Sequence, residues 1–395
     1  MIHCRKFYVL KNGLRRMVYF TDESLLPENQ QPLIITAAPY GPAWLPGDCP
    51  DLPVTFEEQT QAAVDCYEAG ATHLHVHVRN PQTGHGSTDF DMFNEMLSRI
   101  KNAVPKMILS VGGSISFAPK TAEAKAKWLD YDTRHMLAEL KPKPEQVTIA
   151  IGTAMMDVVQ LFTADDIQGT RLTDPKVAMS WQGLWADAGP GFYLEHLKRL
   201  REHDIQPYFM LGYINQLEIV ERLIRAGHYM GPLNHTLVAI GGGCAGRNPF
   251  DMMEYVRRAP HGSVFSMESI MRTVYPLCTM AIALGLHVRC GNEDNLWAPQ
   301  KGKRATAVEQ VKYMVETARR LGRRVATAEE AREIMKIGTW YNSPDETLRN
   351  LGLPPNRKEG QVGFLTKYEK DMPGRGPMGS DSHPMAYCGV GPEKD

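Results

Sequence analysis

Eight short apolar runs of β type recur along this chain, and a stretch of helical character follows each. The runs are LIITAAP (33–39), THLHVHV (72–78), KMILSVG (106–112), QVTIAIG (146–152), QPYFMLG (206–212), HTLVAIG (235–241), VFSMES (264–269) and LHVRCG (286–291). Between them lie amphipathic segments such as FEEQTQAAVDCYEAG and FNEMLSRIKNAV. Buried strands that alternate with helices pair in parallel and are covered by those helices. Eight such units predict an α/β fold, a closed (β/α)8 TIM barrel, with a doubly wound open sheet as the structural alternative. Several runs end in glycine, as in SVGGS, IAIGT, FMLG, AIGGG and RCGNED. A terminal glycine permits a sharp turn into the following loop, and in a barrel those loops form the active face.

Three segments fall outside the repeat. Residues 1–31 are polar and mixed and read as an N-terminal arm ahead of a catalytic barrel at 32–342. Residues 154–190, with Trp181 and Trp185, read as a long loop between the fourth strand and its helix. Residues 343–395 follow the helical run ATAEEAREIMKI and are rich in Pro, Gly and charge. This extended C-terminal tail is expected to wrap the barrel, contact a neighbouring subunit, or be partly disordered.

Composition removes several function classes. Hydrophobic residues make up 43% and charged residues 23% of the 395, which suits a sizeable core. A formal net charge of -1 gives no overall field for nucleic acid or an anionic membrane. No apolar run approaches the roughly 20 residues that span a bilayer. The N-terminus MIHCRKFYVLKNGLRRM lacks the continuous apolar core of a secretory signal. Seven scattered cysteines without a CxxC pair suggest reduced thiols and a cytoplasmic setting.

The chemistry concentrates in two blocks. In THLHVHVRNP (72–81) strand periodicity puts His73, His75 and His77 on one face. Neighbours in that set stand about 6.6 Å apart at ~3.3 Å per residue, so two imidazoles can converge on one ion, whereas three would span about 13 Å. His75 and His77 lie nearer the C-terminal end and are the candidate metal pair; His73 reads as an interior residue. In LHVRCGNEDN (286–295) Arg289, Gly291 and Glu293 share parity, and Asp294 faces away if the strand continues. An adjacent Glu–Asp pair at a strand end can divide its work, one carboxylate on a metal and one moving protons. Two His and one carboxylate suit a catalytic zinc with open positions, and the same donors accept iron, manganese or nickel.

These blocks resemble the β-keto acid cleavage enzymes, the group around 3-keto-5-aminohexanoate cleavage enzyme. The matching segments are PLIITAAPYG (32–41), HLHVHVRNPQTG (73–84), ILSVGG (108–113), AIGGG (239–243), YPLCTMAIALGLHVRCGNEDNLW (275–297) and ETARRLGRRVATAEEAREIM (316–335). The resemblance implies a (β/α)8 barrel, commonly a homotetramer, with Zn2+ on His75, His77 and Glu293. It implies Asp294 as acid and base, with Arg289 and Ser110 orienting it, and Thr153, Gly112 and Gly113 as substrate contacts. The implied co-substrate is acetyl-CoA, which turns a small β-keto acid into acetoacetate and a new acyl-CoA by a retro-Claisen route. For the CoA itself, Gly242, Gly243 and Arg247 after the sixth strand could approach a phosphate through backbone N–H groups and charge.

The chain also departs from that family's pattern. Members acting on amino-bearing substrates carry an acid soon after the first strand; here PYGPAWLPGDCP has none before Asp48. Their acidic fifth-strand motif is replaced by Tyr208, Phe209 and Met210. An ammonium group would lack partners there, so a non-cationic keto acid is expected. Val111 stands where the family often has Thr. Two other readings fit the residues alone: a metal-dependent barrel lyase, aldolase or hydrolase without CoA, and a non-catalytic barrel scaffold.

Overall fold

A computed structural model describes residues 23–120 and 124–356. Residues 1–22 of the expected arm and 357–395 of the expected tail lie outside that description. The strands are β1 (Ile35–Ala37), β2 (His73–Val76), β3 (Ile108–Val111), β4 (Gln146–Ala150), β5 (Ala154–Met155), β6 (Trp185–Ala186), β7 (Gln206–Leu211), β8 (Asn234–Ala239), β9 (Val264–Ser269) and β10 (His287–Cys290). Eight close into a barrel in the order β1-β10-β9-β8-β7-β4-β3-β2. Each neighbouring pair is parallel, from Ile35 beside Val288 round to Thr36 beside His73. The expected (β/α)8 barrel is therefore the fold, and the open sheet is excluded by closure.

The first helices are α1 (Phe56–Glu68), α2 (Phe90–Ala103), α3 (Tyr131–His135), α4 (Ala164–Ile167), α5 (Pro175–Met179) and α6 (Pro190–Glu202). They are followed by α7 (Asn215–Arg225), α8 (Pro249–Arg258), α9 (Val274–Ala283), α10 (Ala307–Arg320), α11 (Ala328–Ile334) and α12 (Pro344–Leu351). Helix α2 shows why such segments form. Asp89 accepts from Met92 N at its start, and Phe93, Met96, Leu97 and Ile100 bury the face that an i, i+3, i+4, i+7 spacing predicts. Capping boxes, in which a Thr and a Glu three residues on bond each other's backbone, start α1, α10 and α11. Ala331 of α11 and Met335 at its C-cap join Tyr208, Ile34 and Ile108 in one cluster.

The segment expected to be a plain loop, 154–190, carries structure of its own. β5 and β6 pair antiparallel outside the barrel, with α4 and α5 between them. Trp181, Leu172 and Leu184 are buried there with Trp44 and Trp297 in a second apolar cluster, separate from the main core. At the other end of the chain, α12 places part of the tail on the barrel's helical layer. Leu348 and Leu351 are buried, and the buried Arg225 of α7 donates to Pro354 O at 3.1 Å.

Candidate active site

Strand β2 ends at Val76, so His75 projects from its last turn of pleat and His77 from the residue just past it. Their Nε2 atoms stand 3.2 Å apart. Glu293 Oε1 reaches both, at 3.4 Å from His75 and 3.5 Å from His77. All three ligand atoms lie within 4.8 Å of one another. Donors held about 2.0–2.1 Å from a tetrahedral zinc stand about 3.3 Å apart, so the triangle has the size of a zinc coordination face.

The proton positions suit a metal as well. His77 Nδ1 lies 2.8 Å from the carbonyl of Ile115, which can only accept, so Nδ1 carries a hydrogen and the neutral ring has its lone pair on Nε2. Ile115 takes φ 59°, an unusual left-handed conformation for a β-branched residue, and its carbonyl is turned onto the imidazole. Burial, then the Arg289 charge, hold His75 down at about 4, so it is neutral and able to ligate near neutrality. Two glycines make room. A Cβ on Gly112 would run into the His77 ring, and one on Gly41 into the Glu293 side chain. Trp44 Nε1 donates to Glu293 O at 3.1 Å, and the buried Arg79 holds the carbonyls of Gly41, Trp44 and Gly84.

The strand does not continue past Cys290, so the parity argument for Asp294 does not apply. Instead the chain turns at Gly291, which has φ 143°, and Glu293 and Asp294 both fold back onto Arg289. Asp294 is clamped through both oxygens, Nε to Oδ2 at 2.9 Å and Nη2 to Oδ1 at 2.8 Å. Glu293 Oε1 is 2.9 Å from the same Nη2, and Glu268 Oε1 is 3.7 Å away. One buried guanidinium thus faces three carboxylates. Burial opposes the charge of Arg289, but these neighbours outweigh it and keep the side chain cationic. Burial raises Asp294 and pushes Glu268 up to about 8. Burial also works to raise Glu293, yet Arg289 and the two imidazoles leave it well below the ordinary carboxylate range.

The remaining expected residues are placed less uniformly. Ser110 is buried beside His75 in the strand register, and its Oγ has no hydrogen-bond partner among the described residues. Gly113 lines the central cavity, and its N–H donates to Thr148 Oγ1 at 2.6 Å. Thr153 is exposed and tied to Asp187 Oδ1 at 3.3 Å and to Ala188 N at 3.2 Å. Gly242 and Gly243 pack against Asp157, Val158 and Met155 of the inserted segment. Arg247 donates to Leu161 O at 3.1 Å in the same segment. The structure therefore groups His75, His77, Glu293, Arg289 and Asp294 tightly, and leaves Thr153 apart from them.

A cavity opens above this group. His75, Glu268, Arg289, Glu293 and Asp294 line its polar end. Trp44, Phe117, Trp128, Phe162 and Trp181 line an aromatic side that the inserted segment helps to build. Of the three fifth-strand residues singled out in the sequence, Met210 reaches the cavity, while Tyr208 packs at a tilt against His73, with ring centroids 5.3 Å apart. Two lining residues had escaped the sequence reading. Glu268 had a usable signal, an acid within the apolar strand run VFSMES. Arg134 had none; it is brought in by packing on Phe192, with its guanidinium carbon 3.7 Å from the ring centroid.

Parallel barrels carry their chemistry at the C-terminal ends of the strands, and titratable groups drawn from β2, β9 and the turn after β10 put this chain among the enzymes of that architecture. It belongs to the β-keto acid cleavage enzyme family, which it matches over residues 32–337. It is 26% identical over 307 residues to the 3-keto-5-aminohexanoate cleavage enzyme of Acetoanaerobium sticklandii, covering 77% of this chain and 98% of that one. It is 25% identical over 297 residues to the 3-dehydrocarnitine:acetyl-CoA trimethylamine transferase of Rhizobium meliloti, covering 72% and 90%. A third relative, 25% identical over 332 residues, is the 3,5-dioxohexanoate:acetyl-CoA acetone transferase of Paraburkholderia graminis, covering 77% and 96%. Among solved structures, apo ObcA shares the fold with a TM-score of 0.52 at 18% identity, over 73% of this chain and 66% of that one.

Proposed function

We propose that this protein is a zinc-dependent β-keto acid cleavage enzyme that uses acetyl-CoA, releasing acetoacetate and a new acyl-CoA. The observation that carries this reading is the triangle of His75, His77 and Glu293, with edges of 3.2, 3.4 and 3.5 Å, beside an arginine-clamped aspartate. His75, His77 and Glu293 would hold the ion. Bound there, it would polarise the keto oxygen as a Lewis acid, and another divalent metal could serve the same end.

The chain's own groups account for the proton and the charge. Asp294 takes the proton from C2 of the keto acid, and Arg289 fixes its carboxylate while doing so. The C2 electron pair forms a bond to the acetyl carbon of acetyl-CoA, and the CoA thiolate leaves. That thiolate then adds to the original keto carbon. The bond between C2 and C3 breaks, the new acyl-CoA departs, and Asp294 returns its proton to C2 to give acetoacetate. Ser110 and Gly113 belong to the same set as contacts along β3 and its loop. Gly242, Gly243 and Arg247 are retained as CoA contacts because the adjoining Cys244 borders the cavity. The homotetramer implied by the family resemblance is retained as the assembly.

The side group of the keto acid is proposed to be uncharged. Asp48, the first acid after β1, is already spoken for by Arg171, with Nε at 2.9 Å and Nη2 at 2.8 Å from Oδ2. Apolar and aromatic side chains make up much of the remaining wall, and Arg134 and Arg171 bring positive charge to it. A panel of aliphatic and 5-amino β-keto acids, assayed for acetoacetate with and without acetyl-CoA, tests both parts. Turnover should require acetyl-CoA and favour the aliphatic acids. Cleavage without acetyl-CoA points to the lyase reading, and preference for the amine rejects the uncharged side group.

A further inference from the structure

Glu268 differs from the other carboxylates around Arg289. Asp294 uses both oxygens on the guanidinium, and Glu293 Oε1 faces the two imidazoles. Glu268 Oε1 is 3.7 Å from Arg289 Nη2, beyond hydrogen-bond distance, and its Oε2 is buried with no partner among the described residues. The residue is 4% exposed, yet it lines the cavity from the end of β9. Its neighbours on that wall offer nothing in return: Val238 pairs with it across the sheet, and Ile240, Ile270 and Met210 lie along the same surface. A buried carboxyl with unmet bonding capacity is costly, and a ligand group that completes it recovers that cost as affinity and selectivity.

Protonated, Glu268 offers one O–H, and in either protonation state its oxygens can accept. The carboxylate and keto oxygens of a β-keto acid only accept, so they answer the protonated state alone, whereas a hydroxyl on the side group both donates and accepts and answers either state. Arg289 lies 3.7 Å away, and with the divalent ion that His75, His77 and Glu293 would hold it already supplies the charge that the local carboxylates need, which disfavours a further cation there. We propose that Glu268 is a specificity-determining residue that selects β-keto acids bearing a hydroxyl on the side group close to the keto carbon. The proposal rests on the cleavage reaction argued above, and it deepens that reading from an uncharged side group to a hydroxylated one.

The test uses the full-length zinc-loaded protein and two β-keto acids of equal length, one hydroxylated and one not. Two quantities are read: kcat/KM for acetoacetate formation with acetyl-CoA, and the Kd of each acid by calorimetry without acetyl-CoA. The wild type should favour the hydroxylated acid by roughly tenfold or more in both. Glu268→Met should bring the hydroxylated acid down to the level of the other. Glu268→Gln, which keeps a hydrogen-bonding end of the same shape, should restore part of the preference. Equal handling of the two acids by the wild type overturns the proposal, as does an undiminished preference in a Glu268→Met protein whose thermal unfolding is normal. Tighter binding of the matched amine than of the alcohol overturns it too. If no acid yields acetoacetate, the reaction assignment fails, while the calorimetric preference still decides the role of Glu268.

Discussion

Arg289 joins the triangle of His75, His77 and Glu293 to Asp294, the proposed proton-transfer group, because one Nη2 touches both Glu293 and Asp294. A lysine cannot reproduce that fork, since an ammonium is a point charge and the two-point clamp on Asp294 needs Nε and Nη2 together. Arg289→Lys should therefore lower kcat by about 100-fold, the size of a mispositioned acid–base group. Zinc content should stay near one per chain, because His75, His77 and Glu293 are untouched. Steady-state kinetics with metal analysis on the same sample checks both, and loss of the metal along with the rate would mean that Arg289 acts by holding Glu293.

Strand ends and their loops set the ligand geometry. β2 delivers His75, and the next residue but one delivers His77, but the loop after β3 fixes the second ring through Ile115 O and the bare Cα of Gly112. Gly112→Ala should displace the His77 ring while leaving β3 paired with β2 through Val76 and Val111. The expected result is metal affinity weakened by about 10- to 100-fold, as for loss of an outer-shell partner. Competition against a chelator of known affinity measures it, and an unchanged affinity rules out this steric account. The inserted segment acts at the same level. Its β5–β6 pair and Trp181 form part of the cavity wall, so the chamber is bounded by the barrel on one side and by residues 154–186 on the other.

Stability of the folded chain should respond to acid through histidines remote from the site. His235 is fully buried between Tyr255 OH at 2.8 Å and Ser263 Oγ at 2.9 Å, and burial lowers it to about 3. His196 is likewise lowered to about 3, first by burial and then by His135. An unfolded histidine takes up its proton near pH 6.5, whereas these stay neutral in the fold down to about pH 3. Their contribution is complete above pH 6.5 and is lost progressively as the pH falls through that window. Between pH 6.5 and 5, His235 alone should cost about 2 kcal/mol of unfolding free energy. Urea unfolding at the two pH values measures the loss, and His235→Asn should flatten the dependence by that amount.

Local patterning in the chain was enough for the barrel and for the pairing of His75 with His77, while Glu293 as their companion came with the family resemblance. Eight buried runs with helical spacers admit few topologies, because parallel strands need crossovers, and a strand's two-residue period already puts His75 and His77 on one side. The closing of β1 onto β10 was legible only as an expectation, since pairing between the chain's ends leaves no local mark. Asp294 shows where patterning fails. Its direction depended on where β10 stops, and the Gly291 turn decided that through close contact with Ala38. Glu268, Arg134 and the aromatic wall came from segments far apart in sequence, and packing alone brought them to one chamber. A side chain's period is a property of its own strand, whereas its partners are set by long-range closure, so the His75–His77 pair could be read from the residues, and the carboxylate beside it and the cavity wall could not.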